Sequence, residues 1–111
     1  MIEKIIYDYL ENKIDVPVYL SIPSDPADEF VTIEKTAGNE ENHIESAVFA
    51  VQSYSSKSLL RACKLNEDVK TAMRKITAET SVMHCKLNTN YNFTDTRTKF
   101  YRYQSVFDIN Y

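Results

Sequence analysis

The stretch from Lys99 to Tyr111 alternates with hardly a fault, and it constrains the rest of the fold more than any other segment. Tyr101, Tyr103, Ser105, Phe107, Ile109 and Tyr111 fall on one face. Arg102, Gln104, Asp108 and Asn110 fall on the other, with Phe100 and Val106 as exceptions. A two-residue repeat sustained over this length is a half-buried β-strand. So aromatic a strand predicts a place inside a sheet, with the rest of the chain arranged around it. At 111 residues there is room for one domain with a two-layer core.

Earlier segments supply the neighbours. Ile2, Ile5, Ile6, Tyr9 and Leu10 are spaced for one face of a short helix ending near Asn12 or Lys13. Pro17 forces extended backbone, and Val16, Val18, Leu20 and Ile22 then alternate as a first strand, placed at an edge by its proline. A turn at Ser24–Asp28 leads into a strand over Phe30–Thr36. A polar loop from Ala37 to Asn42 follows, holding the single glycine. Ile44–Tyr54 is the next strand. Its unbroken run Ala47–Val51 predicts a central position covered on both faces, with a helix on at least one.

Ser55 or Ser56 is suited to cap a long helix reaching Ala78, with Leu59, Ala62, Cys63, Leu65, Val69, Ala72, Met73 and Ile76 inward. Met83, Cys85, Leu87 and Tyr91 then alternate with His84, Lys86 and Asn88. A polar loop from Asn92 to Thr98 joins this strand to the last as a hairpin. The order α-β-β-β-α-β-β predicts a single α+β domain over residues 1–111. Its sheet is mostly antiparallel, of about five strands, packed by one long helix and a short N-terminal one.

Composition narrows the chemistry. Gly38 is the only glycine, which argues against phosphate-cradling loops and the common nucleotide sites. A net charge of −3 disfavours generic nucleic-acid binding. The N-terminus does not read as a signal peptide, and no apolar run approaches a membrane span. Eight tyrosines suit a core rim or an interface, since each pairs an apolar body with a polar tip.

Candidate reactive groups fail on spacing. His43 and His84 lack partners at ligand spacing. Cys63 and Cys85 stand on apolar faces without a CxxC and read as reduced, buried packing residues. Asn92-Phe93-Thr94 matches the glycosylation acceptor by chance. A magnesium-dependent nuclease could draw on Asp28, Glu34 and Lys35, but adjacent strand residues point to opposite faces. Arg97, Lys99 and Arg102 interleave with Phe100, Tyr101 and Tyr103 in a pattern that can stack single-stranded bases. Alternation separates Arg102 from Tyr101 and Tyr103, dividing charge from stacking platform.

Ile33-Glu34-Lys35-Thr36, Glu41-Asn42-His43-Ile44 and Phe49-Ala50-Val51-Gln52-Ser53-Tyr54 are similar to segments of small neck and tail proteins of tailed bacteriophages and prophages. So are Lys86-Leu87-Asn88, Tyr91-Asn92-Phe93-Thr94-Asp95 and Arg102-Tyr103-Gln104-Ser105-Val106-Phe107-Asp108. Across nearly its whole length the chain most resembles the tail terminator, or tail completion, proteins of long-tailed phages. The resemblance implies an α+β protein that closes into a hexameric ring on the tail tube, stops tube growth and receives the filled head. It implies no catalytic residue, metal or cofactor. The implied partners are copies of the chain, the tail tube protein and head-completion or connector proteins, without membrane or sequence-specific nucleic acid. The implied place is the tail or neck of the virion, after assembly in the host cytoplasm.

A ring needs two different complementary patches per subunit. The candidate contact residues are Gly38, Asn39, Glu40, Glu41 and Asn42 in one loop and Asn92, Phe93, Asp95, Arg97 and Lys99 in the other. Glu40 and Glu41 meeting Arg97 or Lys99 of the next subunit would direct the contact electrostatically. The alternative reading is a head-completion or minor capsid adaptor of the same neck region. A metal-dependent nuclease is a remote third.

Overall fold

The structure, a computed structural model, describes residues 1–41 and 44–111. The elements run α1 (Ile2–Lys13), β1 (Val18–Tyr19), β2 (Glu29–Glu41), β3 (Ile44–Ser55), α2 (Leu59–Met73), α3 (Ile76–Glu79), β4 (His84–Asn92) and β5 (Tyr101–Asn110). They form a five-stranded sheet in the order β1-β2-β3-β5-β4. The helices pack on one face, so the fold is α+β as the hydrophobic periodicities predict. The last strand does lie inside the sheet, between β3 and β4.

Burial of the period-two residues against the helices makes the core. Val31 and Ile33 of β2, Ala47, Phe49 and Val51 of β3, and Phe107 and Ile109 of β5 face Ile2, Ile6 and Leu10 of α1 and Leu65, Val69 and Met73 of α2. Phe49 sits at the centre with no exposed surface. One polar group is built into this layer. Asn66 of α2 is fully buried and accepts a hydrogen bond from Ser105 Oγ, while its amide donates to Asn90 Oδ1 at 3.4 Å. Helical spacing gave no hint of Asn66, because a buried asparagine is set by its partners on other elements.

Several boundaries differ from the expectation. The first strand is only Val18–Tyr19, and it pairs parallel with β2 through Val18↔Val31 and Tyr19↔Thr32. Adjacent parallel strands need a return path between them, and the short connection 20–28 can retrace only a brief strand. Leu20 and Ile22 therefore leave the sheet and stand 59% and 46% exposed. The stretch Ala37–Glu41 is not a loop but the outer half of β2, paired with β3 from Ala37↔Val48 to Glu41↔Ile44. A bulge at Thr36 lets the strand continue, and the stem of Lys35 lies against Gly38, where an added Cβ would meet Lys35 Cε at 2.8 Å. Polar side chains hid this strand from the pattern, since neither of its faces is buried.

The long helix is capped by Ser58, whose Oγ accepts from the Arg61 N–H at 3.1 Å, rather than by Ser55 or Ser56. It stops at Met73. The N–H of Lys75 bonds to the Ala72 carbonyl at 3.0 Å, and the chain restarts as α3 so that Ile76 is fully buried. Leu59, expected inward, is 38% exposed, and Met83 is 60% exposed before β4 begins. A bulge at Asn88 shifts the β4 register, so Tyr91 pairs with Gln104 and leaves the face that carries Cys85 and Leu87. Cys63 and Cys85 are free and half-buried rather than fully buried. Burial, with a smaller effect from Asp108, pushes the Cys85 thiol up to about 11. No helix among the described residues is long and apolar enough to cross a membrane.

Candidate functional site

The sheet face turned away from the helices carries rows of paired side chains. β3, expected to be covered on both faces with a helix on at least one, has its helices on one face; on the other Ala50 is buried and Val48, Gln52 and Tyr54 are half-buried. Cross-strand register places Thr32, Gln52, Gln104 and Tyr91 in one line across β2, β3, β5 and β4. Their polar ends form a chain. Thr32 Oγ1 donates to Gln52 Oε1, Gln52 Nε2 donates to Gln104 Oε1 at 2.7 Å, and Gln104 Nε2 donates to Tyr91 OH at 2.6 Å. This ladder ties four strands together and keeps the face rigid without a helix over it.

The next row toward the β3 C-terminus is aromatic. Phe30 stacks on Tyr54 with ring centroids 4.5 Å apart, and Phe100 meets the edges of both. The Arg102 guanidinium lies 4.3 Å from the Phe93 ring centroid and 5.7 Å from that of Tyr54. It is held there by donating to the Phe93 carbonyl at 2.8 Å and to Tyr54 OH at 3.2 Å. Phe30, Tyr54, Phe100 and Arg102, with Ile22, Asp95 and Thr98, line a cleft of about 200 Å³. Arginine and aromatic rings thus do share a face. The division read from Tyr101 and Tyr103 holds only within β5; the rings that meet Arg102 come from β3 and from the loop after β4.

The loop between β4 and β5 builds the rim of this cleft. Asn92 Oδ1 accepts from the Thr94 N–H at 3.0 Å and from its hydroxyl at 2.7 Å, a turn that uses both ends of the Asn-Phe-Thr triplet. Asp95 accepts from the Arg97 N–H at 3.0 Å and from its guanidinium at 3.2 and 3.3 Å, which holds its carboxyl below the usual range. Phe93 is 43% exposed, and Lys99 and Arg97 project into solvent.

The other candidate group lies at the far end of the sheet. Gly38, Asn39, Glu40 and Glu41 are exposed strand residues of β2, and Asn42, like His43, lies outside the described residues. Glu40 stands directly across from Glu45 and Glu41 across from Ile44. The structure therefore does not bring the two sets of candidates together; each occupies its own end. Ile22, Phe30 and Tyr54 shape this surface, and sequence spacing does not single them out. The one signal available was Phe100, an aromatic residue out of step with its own strand.

Glu34 and Lys35 lie on opposite faces, opposite Ala50 and Phe49, so the acid–lysine set of a nuclease does not form there. His84 is an exposed strand residue opposite Asn110. Among the described residues no three His, Cys, Asp or Glu side chains gather as a metal site. Compared with protein-family models and with curated proteins, the chain matches none.

Proposed function

We propose that this chain is a structural assembly protein of a tailed phage or prophage, which caps the tail tube and forms part of the head–tail junction as a ring. The observation that supports this reading is the separation of two unlike surfaces on one rigid sheet. One end carries the acidic strands around Glu40, Glu41 and Glu45, and the other an aromatic–arginine cleft beside the loop that bears Arg97 and Lys99. A subunit with two different patches at opposite ends suits head-to-tail closure, whereas a two-fold dimer would reuse one patch. The amide ladder and the buried Asn66–Ser105 pair supply stiffness, which a scaffold needs to hold such patches in place.

Negative-stain microscopy of the protein mixed with the tail tube protein of the same genome tests the reading. Tubes should end in an added ring and stop growing. Tubes that keep bare ends and lengthen normally would overturn it. A head-completion adaptor would instead bind the connector and leave tube growth unchanged.

A further inference from the structure

We draw no further inference here: the strongest candidate, the aromatic–arginine cleft between Ile22, Phe30, Tyr54, Phe100 and Arg102 on the sheet face away from the helices, is an open surface with Asp95 in its wall and Arg97 already paired to that acid, and nothing in the structure shows what covers it.

Discussion

Glu29 opens β2, and Arg61 lies in the first turn of α2; their ion pair ties sheet to helix at the end that bears the cleft. The guanidinium donates from Nε at 2.7 Å and from Nη2 at 2.9 Å, and Ser55 Oγ adds a third hydrogen bond at 3.0 Å. The Arg61 hydrogen bonds dominate, opposed by burial and assisted by Ser55, and they bring the Glu29 carboxyl from 4.5 down to about 2. At about 1.4 kcal/mol per pH unit, that displacement corresponds to about 3 kcal/mol. The Arg61 side chain is 56% exposed, so water screens the pair and a smaller net value applies. Glu29→Gln should therefore cost about 1–2 kcal/mol near pH 7, or about 4–8 °C in thermal midpoint for a chain of this size. The folded carboxyl is depressed, so the stabilisation is complete above pH 4.5 and is lost as pH falls toward 2. Urea unfolding of wild type and Glu29→Gln at a series of pH values reads the difference directly. The two should differ at neutral pH and converge in acid. Equal stabilities near pH 7, or a gap that persists undiminished near pH 2, would refute the reasoning.

Three further outcomes follow from the packing. Phe49→Ala removes a fully buried ring at the centre of the sheet and should cost about 3–5 kcal/mol in urea unfolding, enough to leave much of the protein unfolded. Asn66→Ala leaves Ser105 Oγ buried without its acceptor and should cost about 1–3 kcal/mol. Adding Ser105→Ala should then cost less than the sum of the single changes, which a double-mutant cycle will show. Tyr9 donates to the Ala72 carbonyl at 2.6 Å, and burial first, then Glu79, raises its phenol to about 12. The neutral form is the one the fold holds, so its stabilisation is present below pH 10 and lost as pH rises toward 12. Tyr9→Phe should cost about 1 kcal/mol near neutral pH and show a shallower alkaline loss than the wild type by circular dichroism.

Where one face of an element is buried, the chain spells it out. α1 is read from its spacing to within a residue, because Ile2, Ile6, Tyr9 and Leu10 all enter the core. β3 and β5 are equally plain. The outer half of β2 is invisible by the same logic: with both faces wet, nothing in Ala37–Glu41 needs to alternate, and only pairing with β3 makes it a strand. The first strand fails in the opposite sense. Val16, Val18, Leu20 and Ile22 alternate, yet a parallel partner and a short return connection leave room for Val18 and Tyr19 alone.

The candidate surfaces divide in the same way. Charge is a local property, so the acidic group at Glu40 and Glu41 and the basic group at Arg97 and Lys99 can be read from the residues. Their separation cannot, because the distance between them is the length of a sheet assembled from strands remote in the chain. The cleft is still further from view. Phe30, Tyr54 and Arg102 come from three strands, and cross-strand register alone sets them side by side. Hydrophobic periodicity along the chain thus determined the elements and the face that each one buries. Only the tertiary structure decided which side chains of different strands stand opposite one another, because register and bulges are settled by contacts between strands and leave no repeat within any one of them.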